Sequence, residues 1–247
     1  MLYQLNDDNV AFPALDCALT DPNGLLAVGG DLQPKRLIHA YSQGIFPWFS
    51  EHDPLMWWSP DPRAIICIED LKINRTLRKA LKKSPYSVTI NTAFEQVIAH
   101  CADAPFRKDG TWIVPQMQTA YTDLHRLGYA HSIEVWQTAI PDTIDENMPT
   151  DEKKVLVGGL YGVAINGFFS GESMFYTQAN ASKFALVALT KLLSTMDIEF
   201  IDCQLLNPFL ADMGAIEISR IDFIKRQQTA INKRLTTDFW QPRALDI

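Results

Sequence analysis

Apolar residues recur along this chain with two spacings, and the switches between them outline its elements. Ile73, Leu77 and Leu81 return every four residues with cations between them, which predicts a helix from about Asn74 to Lys83. Helices are also predicted over Thr92–Cys101, over Pro115–Leu127 with Gly128 as the stop, and from a cap at Asn180 or Ser182 to about Met196. Short runs of β-forming residues predict strands at Ala64–Ile68, Ser87–Ile90, His131–Trp136 and Glu199–Cys203. The clearest local signal is a hairpin, Val155–Ile165 and Phe168–Phe175, split by Asn166-Gly167, the pair favoured in type I′ turns.

The first sixty or so residues are instead dense in turn signals, such as Asp21-Pro22-Asn23-Gly24, Gly29-Gly30-Asp31 and Phe46-Pro47-Trp48. One helix fits there, capped by Asp31, with Pro34 in its first turn and Leu37, Ala40 and Tyr41 at helical spacing before Gly44. Trp57-Trp58-Ser59-Pro60-Asp61-Pro62 closes the region, so a domain boundary is expected near residue 62. Residues 103–112 read as a polar loop, and the acidic, aperiodic residues 138–154 as a mobile surface excursion. Strand, helix and strand with short links predict a mixed α/β (α+β) sheet fold.

Composition narrows the function classes. No run approaches the ~20 apolar residues of a membrane span, and the acidic N-terminus lacks the pattern of a signal peptide. Cys17, Cys67, Cys101 and Cys203 are scattered without a C-x-x-C pair, which fits reduced thiols in the cytoplasm. The formal net charge of −7 means that any polyanion must be met by a local basic patch. Arg75, Arg78, Lys79, Lys82 and Lys83 would form one such stripe on the helix of residues 74–83, suited to a phosphate backbone. An ordinary solvated helix face is the plainer alternative.

Candidate chemistry sits in the C-terminal half. Gly171-Glu172-Ser173-Met174-Phe175 lacks the second glycine and the following helix of a nucleophile elbow, which argues against a serine hydrolase. Glu172 either lies on the solvent face of a strand or faces a pocket. Asp202 and Gln204, two residues apart at a strand end, would share one face and suit proton handling and orientation of an amine. Otherwise Asp202 caps the following turn. Trp48, Trp57, Trp58 and Trp112 lie in Pro/Gly-rich surroundings, where they would seal a small domain or offer platforms for a nucleobase. There is no G-x-G-x-x-G, Walker A or H-E-x-x-H motif, and the five histidines lack metal-ligand spacing. An enzyme of this sequence would need no cofactor or metal, its substrate arriving already activated.

In order along the chain, these segments resemble the bacterial leucyl/phenylalanyl-tRNA–protein transferases. The matching stretches include Pro22-Asn23-Gly24-Leu25-Leu26-Ala27-Val28-Gly29-Gly30-Asp31-Leu32, Gly44-Ile45-Phe46-Pro47-Trp48-Phe49 and Trp57-Trp58-Ser59-Pro60-Asp61-Pro62-Arg63. They continue through Gly110-Thr111-Trp112-Ile113, Gly158-Gly159-Leu160-Tyr161-Gly162-Val163, Gly171 to Phe175, Asn180-Ala181-Ser182-Lys183 and Ile201-Asp202-Cys203-Gln204. The resemblance implies transfer of Leu, Phe or Met from aminoacyl-tRNA to the N-terminal Arg or Lys of acceptor proteins, marking them for degradation. It implies a small N-terminal domain, residues 1–62, followed by a domain like the GNAT-type N-acetyltransferases, residues 63–247. It also implies that Asp202 accepts or relays a proton through Gln204, and that Leu160, Glu172, Met174, Leu189, Leu193 and Ile201 surround the transferred side chain. Trp48 and Trp112 would sandwich the terminal adenine, and the stripe from Arg75 to Lys83 would contact the acceptor stem. An acyl-CoA-dependent acetyltransferase is the nearest competitor, but the loop Tyr176-Thr177-Gln178-Ala179-Asn180 lacks the glycine that cradles a pyrophosphate. A tRNA-binding protein in which Asp202 is only structural is the other alternative.

Overall fold

The structure, a computed structural model, describes residues 2–104, 111–138 and 154–246. The loop expected over 103–112 is thus only partly described, and the excursion expected over 138–154 lies almost wholly outside the described residues.

Two sheets organise the chain. The smaller holds β1 (Tyr3–Leu5), β2 (Leu25–Gly29), β3 (Phe46–Pro47) and β4 (Met56–Trp58) in the order β1-β2-β4-β3. Helix α1 (Pro34–Ser42) follows β2. Its N-cap is Gln33 rather than the expected Asp31, because Pro34 takes the first helical position, where no backbone donor is needed. Asp31 instead accepts from the Gln33 N–H at 2.8 Å and pairs with Arg36 at 3.0 Å. Trp57 and Trp58, expected in a loop, form buried strand positions, with Trp57 donating its ring N–H to the Gly29 carbonyl.

The larger sheet holds β5 (Arg63–Cys67), β6 (Tyr86–Ile90), β7 (Ala130–Thr138), β8 (Lys154–Ile165), β9 (Phe168–Tyr176), β10 (Phe200–Gln204), β11 (Ile216–Ile218) and β12 (Arg243–Leu245). Their order is β11-β5-β10-β9-β8-β7-β6-β12, and only β9 and β10 run parallel. The helices are α2 (Arg75–Lys82), α3 (Phe94–Ala102), α4 (Pro115–Arg126), α5 (Ala181–Ser194), α6 (Pro208–Asp212) and α7 (Arg220–Ile231). The predicted mixed α/β class is what the chain adopts.

Both faces of the large sheet are covered, and β8 shows how. Side chains alternate across a strand, so Tyr161, Val163 and Ile165 join one core while Leu160 and Ala164 join the other. Burial on both sides explains why this strand reads as a continuous apolar run. The first core contains α3 and α4 together with Leu26, Leu37, Tyr41 and Trp57, so the small sheet shares its interior with one face of the large one. The second core is built on α5. A Cβ on Gly158 would stand 2.5 Å from the Ala181 Cβ, and its absence lets the start of α5 rest directly on β8.

The hairpin of β8 and β9 turns at Asn166-Gly167 as predicted, but not as a type I′ turn. Asn166 is left-handed at φ 51°, whereas Gly167 is not in that region. Gly167 serves close approach instead: a Cβ there would lie 2.8 Å from the Ala230 carbonyl oxygen at the end of α7. Asn180 is the N-cap of α5, at φ 64° and with no capping bond from its side chain.

Candidate active site

The site forms where two parallel strands stop pairing. Strands β9 and β10 are in register only at Ile201–Phe169 and Asp202–Ser170. Beyond that, Gln204 has φ 56° and a bulge interrupts β10 between Asp202 and Gln204. A cavity of about 480 Å³ opens between the strands' next residues, Gly171–Met174 on β9 and Cys203–Leu205 beyond. Leu160 on β8, Leu186 and Leu189 on α5, Ile66 on β5, and Phe209 and Leu210 on α6 complete its apolar wall, with Trp112 also lining it. An apolar pocket with few convergent polar groups is the usual form of a small-ligand site. Its polar lining includes the Glu172 carboxyl and the Gln204 amide, with Ser173, Ser182 and Asn207 also on the wall.

Behind the wall lies a buried ion pair. Arg63, at the head of β5, reaches both oxygens of Asp202, Nε to Oδ1 and the guanidinium NH2 to Oδ2, each at 2.8 Å. Their side chains are 1% and 0% exposed. The guanidinium also donates to the Gly44 carbonyl at 3.0 Å and lies between the rings of Phe46 and Phe223, 4.9 and 4.5 Å from their centres. A planar cation stacked on rings and forked onto a carboxylate is an arrangement that Lys could not reproduce.

This pair fixes Gln204 through Ser170. The Ser170 hydroxyl donates to Asp202 Oδ2 at 2.8 Å, so its lone pairs are free to accept, and Gln204 Nε2 donates to them at 2.7 Å. The Gln204 backbone N–H donates to Asp202 Oδ1 at 3.1 Å. The nitrogen end of the Gln204 amide is thereby assigned, and among the described residues no donor reaches its carbonyl oxygen. That oxygen is an acceptor already oriented beside the cavity.

Glu172 is held from the other side. The Tyr121 hydroxyl on α4 donates to Glu172 Oε2 at 3.1 Å and is itself in short contact with the Tyr41 hydroxyl on α1. Glu172 Oε1 stands 3.5 Å from both Ser170 Oγ and Gln204 Nε2. Burial pushes the Glu172 carboxyl up to about 7; the bonds from Tyr41 and Tyr121 pull it down, the Asp202 charge raises it and Arg63 lowers it. Burial, and then the Glu172 charge, drive Tyr41 and Tyr121 well above the ordinary phenol range, so both remain donors. Burial likewise pushes the Cys203 thiol far up, which removes it as a nucleophile at neutral pH.

Of the residues singled out in the sequence, Leu160, Glu172, Met174, Leu189, Ile201, Gln204 and Trp112 line the cavity. Leu193 does not: it is fully buried in the core beneath α5. Asp202 does not either, because it is sealed beneath the cavity with its oxygens taken by Arg63, Ser170 and Gln204. Asp202 and Gln204 are brought together by the bulge and the left-handed Gln204, rather than by plain alternation along a strand. Trp48 is 42% exposed, packs edge-on against Trp58 and is not among the residues that line this cavity.

The stripe is present as expected. Arg75, Arg78, Lys79, Lys82 and Lys83 are all exposed while Leu77 is buried. Among the described residues none of these cations pairs with a carboxylate. Lys79 and Lys83 border a shallow groove of about 350 Å³ shared with Asn180 and Phe184 of the α5 start. Helix α5 thus connects the stripe to the cavity wall. Among the described residues, no three His, Cys, Asp or Glu side chains are grouped to hold a metal, and no helix is long and apolar enough to cross a membrane.

Sequence reasoning missed Arg63, Ser170, Tyr41 and Tyr121. Arg63 carried one usable signal: a cation opening a wholly apolar strand needs a buried counter-charge.

The family model described as leucyl/phenylalanyl-tRNA protein transferase matches residues 65–228, and the model of that protein's N-terminal domain matches residues 30–61. A leucyl/phenylalanyl-tRNA–protein transferase of Colwellia psychrerythraea is 66% identical over 247 residues, covering 100% of this chain and 98% of that protein. Those of Shewanella woodyi and Pseudoalteromonas translucida are 50% and 46% identical, covering 97% and 99% of this chain and 95% and 97% of their own. Among solved structures, L-PGS from Bacillus licheniformis aligns with 89% of this chain and 64% of its own, at a TM-score of 0.39 and 11% identity, too loosely to bear on function.

Proposed function

The chain belongs to the leucyl/phenylalanyl-tRNA–protein transferase family, and from that premise we propose that its cavity receives the side chain of Leu, Phe or Met esterified to tRNA and that the ester is passed to the N-terminal Arg or Lys of an acceptor protein. The observation that supports this most directly is an apolar cavity with one oriented amide and one carboxyl at the point where β9 and β10 part. Leu160, Met174, Leu189 and Ile201 supply a wall that accepts aliphatic or aromatic side chains and rejects charged ones. Such a wall separates near-isosteres by only roughly 1–3 kcal/mol.

An aminoacyl ester is already activated, so the protein must position an amine and move its proton. The free carbonyl oxygen of Gln204 is suited to accept from that amine. Asp202 then acts one step away: with Arg63 and Ser170 it holds Gln204 in place. Trp112 offers a stacking platform for the terminal adenine, and the α2 stripe a contact for the acceptor stem. Residues 1–62 serve as an N-terminal domain packed on α3 and α4. The reaction is one of the cytoplasm, its product an acceptor marked for degradation.

The test uses labelled Leu-tRNA with two peptides differing only in an N-terminal Arg or Asp. Label should appear on the Arg peptide alone; transfer to neither would end this reading. Changing Arg78 and Lys79 together to Glu should weaken tRNA binding and reduce the slope of log affinity against log salt by about 1–2, since each lost phosphate contact removes about 0.7–0.9. An unchanged slope would return α2 to a solvated face.

A further inference from the structure

We propose that Glu172 is the group that takes the proton from the attacking α-amine, with Tyr121 and Tyr41 as the positioning residues that hold its carboxyl. The proposal rests on the transferase reading above and deepens it.

Asp202 is 0% exposed and both its oxygens lie in the Arg63 fork, so an amine in the cavity cannot reach it. Gln204 carries an amide, which orients but does not store a proton at neutral pH. The Cys203 thiol is driven far up by burial, and the Ser170 hydroxyl already spends its proton on Asp202. Glu172 is the one carboxyl among the described lining residues, and it lies beside Gln204, with Oε1 3.5 Å from Nε2. An amine bound to the Gln204 carbonyl oxygen therefore stands next to a group able to take its proton.

The step balances without a further reagent. The amine lone pair attacks the ester carbonyl carbon, forming the N–C bond and placing the carbonyl electron pair on oxygen. The proton of the resulting ammonium passes to the Glu172 carboxylate. Collapse of the intermediate breaks the bond to the ribose oxygen, which leaves with the proton that Glu172 returns.

The setting is tuned for this. A general base works best when its pKa is close to the working pH, and burial brings Glu172 to about 7. The groups that bear on it are Tyr41 of α1, Tyr121 of α4, Arg63 of β5 and Asp202 of β10, with Tyr161 of β8 lining the same cavity and acting on Tyr121. Tyr121 favours the ionised carboxylate by donating to it, with the Tyr41 hydroxyl bonded behind it, while Asp202 opposes ionisation. Tyr41 comes from the N-terminal sheet region, so that region contributes to the chemistry and not only to the core.

Single-turnover transfer of Leu to an Arg-headed peptide, followed from pH 6 to 9, tests this. Wild type should show an enzyme inflection near 7 in addition to that of the peptide amine, at about 7.7–8. Glu172→Gln should lose at least about 100-fold in rate together with the lower inflection, while aminoacyl-tRNA affinity is unchanged. Tyr121→Phe, which keeps the carboxyl but removes a donor to its charged form, should move the enzyme inflection upward; the peptide amine titrates alike with both enzymes. A Glu172→Gln enzyme with wild-type rate, or one whose rate and tRNA affinity fall together, overturns the proposal, as does an unmoved inflection in Tyr121→Phe. Wild type that labels no peptide would instead defeat the transferase reading itself.

Discussion

Arg63→Ala should destabilise the fold by about 3–5 kcal/mol, as expected when one partner of a buried ion pair is removed. The Asp202 carboxylate would remain 0% exposed with only the Ser170 hydroxyl and the Gln204 N–H to solvate it. The loss does not end there. The Gly44 carbonyl loses its guanidinium donor, and Phe46 and Phe223 lose the cation stacked between them. Arg63→Lys should recover little, because an ammonium cannot make the fork and the stack together. Urea unfolding followed by fluorescence measures this; a midpoint within experimental error of wild type would mean that the pair is solvated and the site more open than described.

The double variant Arg63→Met, Asp202→Leu should separate stability from activity. Replacing both members of a buried pair with apolar groups is often neutral or better, so its unfolding midpoint should lie much nearer to wild type than that of Arg63→Ala. Its transfer activity should nevertheless fall by about 100-fold or more, the scale on which a misplaced positioning group costs rate. Without Asp202, the Ser170 hydroxyl has no fixed acceptor and the Gln204 amide is free to turn over. Leu-tRNA affinity should hold, since the apolar wall and α2 are untouched. Measured together, recovered stability with full transfer would remove the Arg63–Asp202–Ser170 chain from any role in the reaction.

Much of the fold was legible because it depends on local period. The amphipathic α2, the β8–β9 hairpin and the apolar α5 each declare themselves within a dozen residues. The site was legible in pieces: Glu172 and Gln204 stood out in the chain itself, while Leu160, Met174, Leu189 and Ile201 of the apolar wall came only through the family resemblance, and Ile66, Leu186, Phe209 and Leu210 not at all. What stayed hidden depends on depth and on contacts between distant segments. No local pattern tells that Leu193 points into the core one turn past Leu189, or that Asp202 lies below the cavity floor and not on it. The bulge that brings Gln204 beside Asp202 is set by the pairing of β10 with β5. The type I′ expectation failed because Gly167 answers to α7, not to the turn alone. Tyr41 and Tyr121 are 80 residues apart and meet only through the shared core.

The pairing of Arg63 with Asp202 also bears on when this site can exist. The two residues are separated by 139 positions, and a contact so distant in sequence must close a long loop before it returns anything. Synthesis at 5–20 residues per second makes Arg63 wait roughly 7–28 s for its partner to be made. During that interval β5 lacks β10 and β11, its neighbours in the finished sheet, and its cation remains in water. The small sheet and α1 lie before Arg63 in the chain, yet the carboxylate it pairs with, and the amide that carboxylate holds, are made only some 139 residues after it. Until Asp202 and Gln204 have been made, the pocket lacks its amide and the carboxylate that holds it.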